Sequence, residues 1–168
     1  MDESAIQSHL VSQFLAALAM LRNAVESCPE GLWISSDFRN RYWHIAYHSL
    51  FYTHFYMQAS KADFLPWIKH RQDSQYLGSR PGAPDVATVI VRPYSREEVL
   101  EYHAFCCAEI AAKVPAFALT AASGFDWLPF NKLELHLYNL RHLQHHTGQL
   151  ADRLRAHADI GVPWVRMG

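Results

Sequence analysis

The sequence predicts an all-α protein, a four-helix bundle with one long crossover connection between its second and third helices. Three observations predict it. Four segments carry apolar residues at spacings of three and four; helix-starting and helix-stopping residues bracket them; and about 35 residues rich in Pro and Gly separate the second segment from the third. One domain suits a chain of 168 residues, half of them apolar. No internal repeat and no linker composition divides residues 1–168.

The first helix is expected over Ser4 to Ser27, where Ile6, Leu10, Phe14, Leu15, Leu18, Leu21 and Val25 share one face, with Pro29 and Gly31 as its stop. The second runs from Arg39 to Ala59, with Ser36 or Asp37 as N-cap. Its body is strongly aromatic: Tyr42, Trp43, Tyr47, Phe51, Tyr52, Phe55 and Tyr56. That stripe reads as core. Ser95 and Glu98 have the spacing of a capping box ahead of a third helix, Arg96 to about Val114, which Pro115 ends. The fourth pattern extends from Asn131 to about His157, before Gly161 and Pro163. Helix connections in bundles are commonly about 2 to 8 residues, so the Ser60 to Tyr94 crossover either spans the bundle or covers a site. A short extended piece fits Thr88 to Val91.

Composition removes several function classes. Fifteen Lys and Arg against sixteen Asp and Glu leave a formal charge of -1, which supplies no positive field for nucleic acid. No apolar run approaches the roughly 20 residues of a bilayer span, and Met1 to Leu10 lacks the basic start and apolar core of a secretory signal. The expectation is a cytoplasmic protein without membrane or nucleic-acid partners. Cys28, Cys106 and Cys107 fit neither a disulfide framework nor a thiolate metal site.

Histidine is the anomaly, with eleven in the chain. His136, His142, His145 and His146 cluster in the last helix, and His44, His48 and His54 in the second. Residues four apart share a helix face, so His142 and His146 can direct two imidazoles at one ion, with Gln149 and Tyr138 on the same side. His145 turns toward Arg141, Glu134 and Asp152, the solvated side. On the second helix His44 and His48 align with Phe51, Tyr52 and Phe55, and His54 turns away. Two facing helices thus offer three nitrogens, or four. Three neutral imidazoles with an open position are typical of catalytic zinc-type sites; nickel and iron also accept them. Such imidazoles must be neutral, so affinity is expected to fall as pH drops through about 6.5. His9, His70 and His103 read as ordinary packing.

The segment LYNLRHLQHHTGQL at Leu137 to Leu150, with YWHIAYHSLFYTHFYM at Tyr42 to Met57, resembles the DinB-like superfamily of bacterial four-helix-bundle proteins, which is distinct from the DNA polymerase of that name. The likeness extends through element order to PYSREEVLEY at Pro93 to Tyr102. Its most specific part is a His, three residues, a second His, and a Gln three further on. The resemblance implies a metal triad of one His on the second helix and two on the fourth, which falls on His48, His142 and His146 and leaves His44 outside. It implies a divalent ion, zinc or nickel before iron or manganese. Gln149 is expected to hydrogen-bond a ligand or bound water.

Superfamily members include transferases and isomerases that use low-molecular-weight thiols, and proteins assigned as metal-dependent hydrolases. The resemblance therefore implies a metal-dependent hydrolase or thiol S-transferase acting on a small molecule that enters beneath the crossover. The alternative is a non-enzymatic metal-binding or stress-associated protein whose ion staples two helices. A hydrolase needs a base, for which Glu97, Glu98, Glu101 and Glu109 are the clustered carboxylates. A charged thiol needs cations such as Lys69, Arg71, Arg80 and Arg92. Phe125, Trp127, Leu128, Phe130, Val162, Trp164 and Val165 either fold back on the bundle or form a homodimer contact.

Overall fold

The computed structural model describes residues 2–85, 88, 90 and 92–168. It is all-helical: α1 (Glu3–Ser27), α2 (Glu30–Trp33), α3 (Tyr42–Phe55), α4 (Arg96–Lys113) and α5 (Lys132–Ala158), with 3-10 turns at Lys61–Asp63 and Val114–Ala116. No strand forms among the described residues, only the isolated bridges Arg80 to Ala83 and Ala122 to Asn131. The extended piece expected at Thr88 to Val91 includes Val89 and Val91, which lie outside the described residues. Each long helix packs on two others, in the cyclic order α1, α4, α3, α5.

Helix α1 begins where the Asp2 carboxylate accepts from the Ser4 and Ala5 amides. It buries Leu10, Phe14, Leu18, Leu21 and Val25, the face that the periodicity predicts. By length and composition α1 is also long and apolar enough to cross a membrane, contrary to the expectation that no segment is. Its apolar face is packed against α4 and α5. Pro29 and Gly31 do not simply end the helical region as expected. Pro29 opens the one-turn α2, where its carbonyl accepts from Leu32 and Trp33, and Gly31 sits inside that turn. The anchor is Trp33, buried and donating from Nε1 to the Tyr94 carbonyl at 3.0 Å.

Helix α3 is shorter than expected at both ends. Ser36 and Asp37 do not cap it. The Ser35 hydroxyl engages the Asp37 carboxylate and accepts from the Asp37 amide, and the helix starts three residues after Arg39, behind Arg41. At the other end, the buried Lys132 ammonium of α5 donates to the carbonyls of Gln58, Ala59 and Ser123. A cation at a helix C-terminus satisfies carbonyls that further helix would have used. Gly124 completes this corner. Its φ is 85°, a Cβ there would lie 2.0 Å from the Ala59 carbonyl oxygen, and its own carbonyl accepts from the Lys61 amide.

The other ends follow sequence chemistry. Ser95 and Glu98 form the reciprocal capping box that starts α4. Asn131 accepts from the Glu134 amide to start α5. Asp159, with φ 55°, is the left-handed residue that closes α5, two positions before Gly161. The crossover is stitched to α3 and α4: Trp67 stacks on Tyr102 at 4.6 Å and Tyr94 on Tyr47 at 4.1 Å. Phe125 is buried, and Leu128 and Phe130 pack with it near Tyr56 and Tyr138. Val162 returns to the main core, while Trp127 and Trp164 stay exposed. The three cysteines are free.

Candidate metal centre

Helix α3 carries His48, and α5 carries His142 and His146 one turn apart; the packing of α3 on α5 brings the three rings together. One nitrogen from each lies within 4.8 Å of the others. Nε2 of His142 is 3.1 Å from Nε2 of His48 and 3.2 Å from Nε2 of His146. Three nitrogens bound at about 2.0–2.1 Å sit roughly 3.4 Å apart around a tetrahedral ion and about 2.9 Å apart around an octahedral one. The two separations from His142 fall between these.

The outer nitrogens determine what the inner ones offer. Nδ1 of His48 is 2.7 Å from the Gln75 carbonyl oxygen, which only accepts, so Nδ1 carries the proton and Nε2 is a bare lone pair. Nδ1 of His146 is 2.8 Å from Gln149 Oε1, and the same reasoning leaves its Nε2 bare. Two lone pairs therefore point at Nε2 of His142. A proton there can satisfy only one of them well. A proton on Nδ1 of His142 instead gives three facing lone pairs and a buried donor, because that Nδ1 has no partner. In either tautomer the cluster lacks positive charge at its centre. A cation supplies what the donor set lacks, so the three residues fit a metal ion and can hold one.

Protons compete poorly for this position. Burial, then the neighbouring His146, pushes His48 down to about 3, and burial followed by His146 and His145 pushes His142 down to about 4. Burial also lowers His146, against the Gln149 hydrogen bond. His48 and His142 thus stay neutral well below pH 6.5, the point at which affinity was expected to decline, and His146 is shifted in the same direction.

The other histidines direct no nitrogen into the cluster, although the His145 ring lies 4.9 Å from that of His146. His44 stacks on Trp43 at 4.9 Å, buried, with Nε2 unpartnered. His145 is exposed. His54 turns away as expected and is buried against α4, with Nδ1 3.0 Å from the Tyr102 hydroxyl. His70 and His103 bond the Tyr47 hydroxyl and the Leu18 carbonyl. His136 is fully buried with neither ring nitrogen partnered.

Among the described residues none of the clustered carboxylates pairs with His48, His142 or His146, although Glu109 lies 3.8 Å from Nε2 of His54. Glu98 pairs with Arg71 and Arg92, Glu101 with Lys69, and Glu109 with Lys113; Glu97 is exposed. The crossover cations are equally committed, since Arg80 pairs with Asp73. Sequence reasoning missed two residues that touch the site. Gln75 acts through its backbone carbonyl, which leaves no side-chain signature. Tyr52, assigned to core, has its ring 4.8 Å from His48 and 5.4 Å from His142. Both residues also wall a cavity of about 680 Å3 beneath the crossover. Comparisons of the chain with family models, with curated proteins and with solved structures find no match in any of the three.

Proposed function

We propose that the protein is a DinB-like metal-dependent enzyme, its four long helices forming a four-helix bundle with the Ser60 to Tyr94 crossover, and its divalent ion, zinc or nickel, held by His48, His142 and His146. The observation that carries this reading is the convergence of three ε-nitrogens, at least two of them bare, from helices distant in sequence. A divalent ion at that point supplies Lewis-acid chemistry, lowering the pKa of a water or thiol that reaches it. The chain's own residues do the positioning. Gln75 and Gln149 hold two rings in the tautomer that presents Nε2, and Tyr52 packs on the rings of His48 and His142. Three protein ligands leave a vertex for substrate. The reaction class proposed is hydrolysis or transfer of a low-molecular-weight thiol.

Elemental analysis of protein purified without a histidine tag tests the site. One divalent ion per chain is expected, with loss of that ion in His48→Ala, His142→Ala and His146→Ala. Because burial lowers all three rings, His48 to about 3 and His142 to about 4, affinity should persist to lower pH than free imidazoles near 6.5 would allow and fall as the ligand rings charge. Substoichiometric metal, or metal retained in His142→Ala, overturns the reading. Hydrolysis and thiol-conjugation assays on the loaded protein then separate catalysis from a staple: loss of thermal stability in the variants with no activity in the parent favours the staple.

A further inference from the structure

The largest cavity described beside the imidazoles has a chemistry that narrows its occupant. Its volume, about 680 Å3, lies within the range of roughly 300–1,000 Å3 in which small-molecule sites fall. Most of its wall is aromatic. Phe55 stands edge-on to Phe64 at 4.9 Å and parallel to Trp127 at 6.3 Å, 11° from coplanar. Trp127 is half exposed. Flat apolar walls of this kind favour a planar apolar guest, which stacks or meets ring edges at low entropic cost.

Two polar side chains other than tyrosines interrupt that wall. Lys61 is the only charged residue lining the cavity, and its ammonium lies 5.5 Å from the Trp127 ring centroid, with no ion pair among the described residues. Asp63, two residues away, is turned to the Ser60 hydroxyl and lines a different cavity with Gln58 and Lys113. Aromatic walls alone would also suit a cation, as in cages for quaternary ammonium groups. Lys61 reverses that preference, since it repels a cation and attracts an anion. The second polar side chain is the Gln75 amide, whose Oε1 is buried without a partner and, being an acceptor, contributes nothing to holding an anion. Gln75 joins the cavity wall to the metal ligands, because its backbone carbonyl holds His48.

We propose that this cavity binds a small aromatic anion, an aryl carboxylate or a chemically equivalent planar acid, with its ring among Tyr52, Phe55, Phe64 and Trp127 and its charge at Lys61. Placing such a ligand next to the reacting centre rests on the metal-dependent reading above; the binding itself does not. Tyr52 is the shared element, since the ring that walls the cavity also packs on His48 and His142.

Calorimetric titration of the full chain with naphthoate, and with naphthylmethylamine as the cation of matched shape, tests the proposal. Naphthoate should bind at least tenfold more tightly than the amine. Lys61→Ala should erase that preference, Lys61→Arg should retain it, and Trp127→Ala should weaken both ligands. Equal binding of the two probes, no binding of naphthoate, or an unchanged preference in Lys61→Ala overturns the proposal. Repeating the titration on His142→Ala keeps the two readings apart. Naphthoate selectivity that survives there supports the cavity whether or not the parent binds metal, whereas a metal-loaded parent without naphthoate selectivity sinks this inference alone.

Discussion

His136 and His142 lie six residues apart on α5, and burial holds both imidazoles down at about 4. Around His136 the neighbours are the edge of Phe14 at 6.1 Å, the ring of Phe117 at 5.9 Å, and Lys132, whose charge lowers it further. Neither of its nitrogens meets a polar atom. Around His142 two other ε-nitrogens stand within 3.2 Å. Burial is the largest cause of both depressions, so a depressed imidazole does not by itself mark a ligand. What separates a ligand from a packed ring is convergence of lone pairs from a second helix, with outer hydrogen bonds that fix their tautomers.

The largest effect should come from removing one side of that contrast. With free zinc at a thousand times Kd, ion binding adds about 4 kcal/mol of unfolding free energy. His142→Ala should lose all of it, and His136→Leu should keep it, as read by denaturant unfolding with zinc and with chelator. A His136→Leu protein that no longer gains stability from zinc would erase the distinction between the two residues.

Acid should act on the other side. Between pH 6.5 and about 4 the unfolded chain protonates at position 136 while the folded chain holds that imidazole neutral. The unfolded state therefore binds more protons, and stability falls as pH drops through this window, by about 3 kcal/mol for a shift of this size. His136→Leu should remove that share of the acid sensitivity in chelator. His54, also pushed down to about 4 by burial against partial relief from Glu109, keeps its own share. Identical acid midpoints for parent and variant would place the His136 shift in doubt.

A smaller effect tests the outer hydrogen bonds. Gln149 is exposed, so water can replace it against Nδ1 of His146 when it is cut to Ala, and metal affinity should drop about tenfold, the low end for such partners. Gln149→Glu should restore or exceed the parent affinity. No change in either would mean that the tautomer of His146 is set without Gln149.

How much of this was legible in sequence differs between the two helices of the site. Helix α5 alternates a buried and a solvated face, so its wheel separates His142 and His146 from His145. Helix α3 buries eleven of its fourteen residues. A helix apolar on nearly every side has no stripe to orient it, and periodicity left His44 and His48 as equals; only the resemblance chose between them. The capping box at Ser95 was readable because side chains make it. The end of α3 was not, since Lys132 supplies it from across the molecule. Gln75 was invisible for the same reason, its contribution being a carbonyl on the crossover.

The smallest expected effect has the opposite sign from most core substitutions. His136 brings two polar nitrogens into a fully buried position and satisfies neither. An unpartnered buried polar group costs roughly 1–3 kcal/mol, whereas an apolar side chain of similar volume avoids that penalty. Leu is branched where imidazole is flat, so part of the gain is lost to imperfect contact with Phe14 and Phe117. His136→Leu should therefore raise stability at neutral pH by about 1 kcal/mol in urea unfolding with chelator present. A loss of more than about 2 kcal/mol would show that His136 is partnered in solution. The residue would then belong with His142 as a group built to hold something, instead of with the packed rings.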